Sequence, residues 1–317
     1  MANPLPPTSD GPPAPTAANT AAVVVTYQPP EDSLGSLAPL RDQVARIILV
    51  DNGSPPAVRE RLSRLALADG RITLIANPEN LGIAQALNQG CQEAANLGLK
   101  WALLLDQDSL VTNCIIESLA GLHAHARADP SSPPVAILAA NYRDATGRVA
   151  VQFSNGESDT TKRPGARVLM AITSGSLLNL DAFNTIGLFR SDFFIDEVDH
   201  EFCLRAHRRG YSVWLSREVG LDHRLGDQQR MKLGAWHPAV SHHSAIRRYY
   251  MARNRVALFK QYIAFAPGFV IGRLALTGAE AAGVVLLERD KLAKLLAMAR
   301  GVSDGLLGRM GPRRASR

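Results

Sequence analysis

Apolar residues in the first third of the chain gather in short, β-branched runs that each end on polar residues. "AAVVVTY" (21–27), "ARIILVDNGS" (45–54), "ITLIANPENLG" (72–82) and "KWALLLDQD" (100–108) are four such runs. Unbroken apolar stretches of this length predict strands buried on both faces. Between them, "AVRERLSRLALA" and "IAQALNQGCQEAANLG" carry helical periodicity. Strands alternating with helices predict a parallel sheet covered on both sides, in which ligands bind beyond the carboxyl ends of the strands. Thr26, Tyr27, Asp51, Asn80, Asp106 and Asp108 stand at those ends. One such residue reads as a helix cap; several at one edge make a site.

The fourth run closes on Asp106 and Asp108, one residue apart. Like charges this close repel, so a cation between them is expected. Their hard oxygens suit Mg²⁺ or Mn²⁺, and such an ion would bridge to a diphosphate and stabilise its charge as it leaves. No glycine-rich dinucleotide fingerprint follows the first run, because "TYQPPEDS" has prolines where the tight turn needs glycine. There is no Walker sequence either.

The bulk numbers fit this picture. A chain of 317 residues, 46% hydrophobic and 20% charged, suits one sizeable globular domain with an appendage. Cys91, Cys114 and Cys203 form neither a disulfide framework nor a zinc spacing, which fits a reducing cytoplasm. "MANPLPPTSDGPPAPTAANT" lacks the basic start and apolar run of a signal peptide and predicts a disordered leader over residues 1–20.

Charge changes the reading of the C-terminal part. Residues 245–317 carry net +10, which leaves −4 on the rest. An anionic partner is implied: a membrane surface, a phosphorylated lipid or nucleic acid. No uncharged run in this part reaches the ~18–20 residues that span a bilayer. Leu292, Leu295, Leu296 and Ala299 recur at helical spacing among Lys and Arg. That pattern suits a helix on a membrane interface and equally a helix packed on the body.

"VVVTYQP", "ILVDNGS", "NPENLGIAQALNQG" and "LLLDQDS" resemble the nucleotide-binding half of family 2 glycosyltransferases. "ITSGSLLNLDAFNTIGLFRSDFFIDEVDHEFCLRAHRRGY" resembles their acceptor half, and "FIDEVDHEFCLR" with "GVSDGLLGRMG" is most similar to the bacterial rhamnosyltransferase branch. The resemblance implies an inverting enzyme of the glycosyltransferase A fold: a Rossmann-like, mostly parallel sheet flanked by helices, with a C-terminal helical extension. The glycosyltransferase domain would cover 21–262, divided into a nucleotide half (21–112) and an acceptor half (113–262), with a basic amphipathic tail over 263–317.

The resemblance also implies roles for residues. Thr26, Tyr27 and Asp51 would meet the nucleoside, with Asp51 accepting from base or ribose. Asn80, Gly82 and Asn88 would pack near the nucleotide, and Asp106 and Asp108 would hold the divalent cation. An inverting transfer needs a carboxylate that takes the acceptor hydroxyl proton. The family's register to Arg205 places that base at Asp199, with Asp196 second. His223 would be a further metal ligand. Arg248, Arg253 and Asn254 could bind phosphate, or anchor the tail helix by packing and surface charge. The implied donor is dTDP-L-rhamnose, and the acceptor a glycan or lipid-linked hydroxyl at the cytoplasmic membrane face. Two alternatives stand beside this. A metal-dependent nucleotidyltransferase would need a basic phosphate loop that "TYQPP" does not supply. A non-catalytic carbohydrate- or nucleic-acid-binding module leaves the acidic strand ends unexplained, so nucleic acid is not an expected partner.

Overall fold

The computed structural model describes residues 12–143, 147, 149, 164–223, 228–230, 239–241 and 243–313; for 32–36, 223, 228–230 and 239–241 it describes the backbone alone. The chain divides into two compact units, Met1–Phe189 with Phe202–Arg224, and Arg190–Glu201 with Leu225–Arg317.

The first unit is built on the four apolar runs. They form β1 (Thr20–Thr26), β2 (Arg46–Asp51), β3 (Ile72–Ala76) and β4 (Trp101–Asp106), all parallel, in the order β3-β2-β1-β4. Every residue of β1 is buried, as is β4 up to Asp106. Two helices connect them: α1 (Pro56–Ala68), which opens on a proline as first helical turns permit, and α2 (Ile83–Asn96). A Cβ at Gly90 of α2 would lie 2.3 Å from Val23 Cγ1, so the missing side chain lets α2 press onto β1.

Past β4 the sheet becomes mixed. The elements are β5 (Ser109–Val111), α3 (Ile115–Arg127), β6 (Val135–Arg143), β7 (Gly165–Arg167), β8 (Ser176–Asn179), α4 (Leu180–Ile186), α5 (Val198–Arg208) and β9 (Ser212–His223). β8 is antiparallel to β4 and β6, β9 is parallel to β6, and β5 and β7 run antiparallel to β9. The unit boundary falls inside α5, after Glu201. The core joins Ile47, Leu49, Leu103, Leu119, Leu138 and Trp214. Trp101, fully buried, donates its Nε1–H to the Pro13 carbonyl at 2.9 Å. Residues 12–20, expected within a disordered leader, are thus placed; residues 1–11 lie outside the described residues.

The second unit contains α6 (Ala245–Tyr262), α7 (Pro267–Leu287), α8 (Lys291–Leu307) and a short antiparallel pair, β10 (Gln228–Arg230) with β11 (Ala239–Ser241). α8 packs on α6 through Ala297, Gly301 and Gly305; a Cβ at Gly301 would fall 2.3 Å from the Tyr249 carbonyl oxygen. Of the leucines expected to face a membrane or a packed body, Leu292 and Leu296 are exposed while Leu295 packs with Ala252, Val284 and Met298.

α7 inverts the usual amphipathic arrangement. Arg273 and Glu280 point inward to ion pairs with Glu197 and Arg255, whereas Ile271, Leu276, Val285 and Leu286 are exposed. By length and composition it is the one helix among the described residues that could cross a membrane. Its two charges interrupt the sequence run, yet the fold turns both away from solvent. An apolar cleft of about 530 Å³ lies among α6, α7 and α8, lined by Val256, Phe259, Leu274, Ala281, Met298 and Val302.

Candidate active site

In the first unit, strand register assembles the site. Thr26 pairs with Asp51 and Val25 with Asp106, so the carboxyl ends of β1, β2 and β4 meet at one edge. Asp106 is half-buried and its N–H donates to Ser174 Oγ at 3.3 Å. Asp108, in the turn that follows, is exposed. Gln107 between them accepts the Tyr27 N–H through Oε1 at 2.8 Å, tying β1 to β4, and leaves the Tyr27 ring exposed at the same edge.

The neighbouring polar residues are largely committed to shaping this edge. Asp51 is fully buried, its Oδ1 accepting from Ser54 Oγ (2.5 Å) and Thr26 Oγ1 (3.5 Å) and its Oδ2 from Ser54 N–H (3.2 Å). Asp51 and the buried Thr26 therefore brace the 51–54 turn. Asn80 is exposed and its Oδ1 accepts from Asn52 Nδ2 (3.0 Å) and Gly82 N–H (2.9 Å). Gly82 enters α2 at φ 87°, a left-handed conformation that favours glycine. Asn88 is buried, and its amide exchanges two 2.8 Å hydrogen bonds with the Phe189 backbone and holds the chain there.

The donor set fits a divalent cation of the Mg²⁺ or Mn²⁺ kind. No group of three or more His, Cys, Asp or Glu that could hold a metal gathers among the described residues. A hard cation that keeps its waters and takes phosphate oxygens needs only one or two protein carboxylates, and Asp106 with Asp108 offers that number. His223 pairs with Ser109, the residue after Asp108, across β5 and β9; its side chain lies outside the described residues.

The second unit holds the acidic loop and the start of α5. Phe193–Ile195 forms a left-handed γ-turn: Phe194 has φ 66° and ψ −64°, and Ile195 N–H donates to Phe193 O at 2.8 Å. Asp196 and Glu197 follow at φ 63° and 62°. Side chains with a Cβ resist this region, at about 1–3 kcal/mol for each. Asp199 lies in the first turn of α5, partly exposed, its Oδ1 accepting the His200 N–H at 2.8 Å. The acidic first turn and the basic last turn, with Arg205, His207 and Arg208, both favour the helix dipole.

Charge in this loop is tightly partnered. Glu197, buried, accepts from His200 Nδ1 (2.7 Å), Arg255 Nε (2.9 Å) and Arg273. Burial alone would raise its pKa, but His200 and Arg273 outweigh burial and hold it well below the usual carboxylate range. For His200 burial favours the neutral ring, yet Asp199 and Glu197 prevail and raise its pKa. Burial raises the Asp196 pKa, offset in part by Arg247, whose Nε and Nη2 donate to it at 3.1–3.2 Å.

Arg248 and Arg253, expected as possible phosphate ligands, are used internally. Arg248 is buried against Glu288 (2.5 Å) and Glu280 (3.1 Å). Arg253 donates to the carbonyls of Asp192, Phe193 and Gly311. Part of the basic charge in residues 245–317 meets buried acids: Arg248 and Lys294 pair with Glu288, and Arg255 and Arg273 with Glu197. Gln107, Asn52 and His200 were not singled out from sequence. Gln107 and Asn52 had a signal, since each adjoins a carboxylate at a strand end; Glu197 acquires Arg255 and Arg273 only through α6 and α7.

The profile of glycosyl transferase family 2 matches residues 22–186. The dTDP-rhamnosyl transferase RfbF of Shigella flexneri is 27% identical over 255 residues, covering 77% of this chain and 80% of RfbF. Among solved structures, S. aureus TarS 1–349 has a TM-score of 0.58 at 12% identity, over 92% of this chain and 82% of that one. This chain spans about half, 49%, of the longer TarS chain. GalNAc-T7 with UDP, GalNAc and Mn²⁺ has a TM-score of 0.53 at 18% identity, covering 76% of this chain and 48% of its own. At these identities the structures speak for the fold, which is of the glycosyltransferase A type.

Proposed function

This chain belongs to glycosyl transferase family 2 and is a glycosyltransferase, and from that premise we propose an inverting, divalent-cation-dependent transfer of L-rhamnose from dTDP-L-rhamnose. The observation that carries the reading is the Asp106/Asp108 pair at the strand ends, because two carboxylates would repel a diphosphate unless a cation stood between. When bound there, a divalent ion supplies positive charge to the leaving diphosphate. His223, through its backbone pairing beside Asp108, is the proposed third ligand. The exposed Tyr27 ring offers a face to the base, within a wall braced by Thr26, Asp51, Asn80 and Gly82.

Asp199 is the proposed base. Its carboxylate takes the acceptor O–H proton as that oxygen bonds to the anomeric carbon, while the bond from that carbon to the diphosphate oxygen breaks and its electron pair leaves with dTDP. Asp196 is the weaker candidate because Arg247 occupies both its oxygens. The resemblance to RfbF, over most of both chains, supports the rhamnose donor. The outward apolar face of α7 supports peripheral attachment at the inner face of the cytoplasmic membrane, where a lipid-linked glycan would be the acceptor.

A panel of sugar nucleotides incubated with the protein and Mg²⁺ or Mn²⁺ tests this, with released nucleoside diphosphate as readout. dTDP-L-rhamnose should turn over fastest and EDTA should stop turnover. Undiminished release in EDTA, or preference for another donor, would remove the metal or the rhamnose part respectively.

A further inference from the structure

Three consecutive residues of α6, Arg253, Asn254 and Arg255, are 1%, 0% and 2% exposed. Successive helical positions point about 100° apart, so a buried polar run of three needs partners on several sides. For all three, partners lie in the segment Asp192–Glu197. Arg253 Nη2 donates to the Asp192 and Phe193 carbonyls, and Arg255 Nε to Glu197 Oε1. Asn254 Nδ2 donates to three carbonyls at once: Phe193 (3.0 Å), Ile195 (2.9 Å) and Asp196 (2.9 Å).

The amide is held in that sense by its other end. Asn254 Oδ1 accepts from Arg253 Nε at 3.0 Å, which aims the NH₂ group at the loop. The left-handed turn at Phe194 and the positive φ of Asp196 bring these carbonyls together on one point. Converging carbonyl dipoles repel unless a donor stands among them, and the Asn254 amide is that donor. Three residues after Asp196, the same stretch delivers Asp199 into the first turn of α5.

We propose that Asn254 is a positioning residue for sugar transfer: its amide holds Phe193–Glu197 in the left-handed turn and so sets the aim of Asp199. This rests on the reading of Asp199 as the base. Asn254→Asp keeps the shape but sets a carboxylate oxygen against the three carbonyls, and Asn254→Ser keeps one shorter donor. Tyr249→Phe is the control, since it removes a 2.8 Å bond to Asp304 from the same helix and keeps the ring whose cluster Phe194 and Ile195 pack against.

Turnover of dTDP-L-rhamnose with Mg²⁺, read as released dTDP, should fall about 10²-fold in kcat for Asn254→Asp. KM for the donor should stay within about twofold, the mark of an interaction needed after binding. Asn254→Ser should fall between this and wild type, and Tyr249→Phe should keep its kcat. Amide exchange of Phe193–His200 should quicken in Asn254→Asp while that of α8 does not. The proposal is overturned if both Asn254 variants keep kcat within about threefold of wild type, or if KM rises in step with the loss. Should Asn254→Asp not fold, Asn254→Ser carries the same test. Asp199→Asn is run alongside. If it transfers normally, the base assignment itself fails; if it is inactive while the Asn254 variants are active, only the positioning role fails.

Discussion

His200 stands against Glu197 and Asp199, with the Arg273 guanidinium also near and the Phe269 ring edge-on at 5.5 Å. Its pKa is raised above the ordinary 6.5, so the stability it contributes is full below pH 6.5 and is lost as pH rises through the folded value. Glu197 is depressed, so its contribution is full above its ordinary 4.5 and is lost only as pH falls through the lower folded value. The loop should therefore be firmest between those two ordinary values. Melting curves from pH 5 to pH 9 for wild type and His200→Gln should show a gap in Tm that closes toward alkaline pH. A gap independent of pH would mean that His200 packs without carrying charge. At this scale Asp106 and Asp108 were legible, because carboxylates after a buried strand stand out in any sequence. Asp51 and Asn88 stood out as polar residues too, but their partners Ser54 and Phe189 are set by the fold and have no signal in the sequence.

Among the elements, α7 has its charges inside and its apolar residues outside. A helix so arranged in water exposes a contiguous apolar face that lipid would cover. Leu276→Asp with Leu286→Asp puts two charges on that face without disturbing Arg273 or Glu280. Wild type should sediment with anionic vesicles and the double variant should stay in the supernatant, with unchanged metal-dependent dTDP binding. Equal sedimentation of both would exclude α7 as the membrane contact. Truncation near Tyr262 is the poorer test, because it strips α8 from its close seam on α6. Strands β1–β4 could be read from sequence because each is an unbroken apolar run with a polar stop. The mixed strands β5–β9 could not, since their pairings, parallel between β6 and β9 and antiparallel for the rest, join segments distant in sequence. The inversion of α7 was equally hidden: it depends on Glu197 and Arg255, far away in sequence.

For the molecule as a whole, the residues proposed for donor binding, Asp106 and Asp108, differ from the proposed base, Asp199. Damage to the two functions must then look different. The most direct measurement titrates dTDP with Mn²⁺ against wild type, Asp108→Ala and Asp199→Asn, and follows dTDP-L-rhamnose turnover in the same samples. Asp108→Ala should lose the Mn²⁺-dependent part of dTDP affinity and turnover with it. Asp199→Asn should bind dTDP as wild type does while its kcat falls by roughly 10²–10⁴. An Asp108→Ala protein that still binds dTDP with Mn²⁺ at wild-type affinity, or an Asp199→Asn protein with undiminished turnover, would contradict the account.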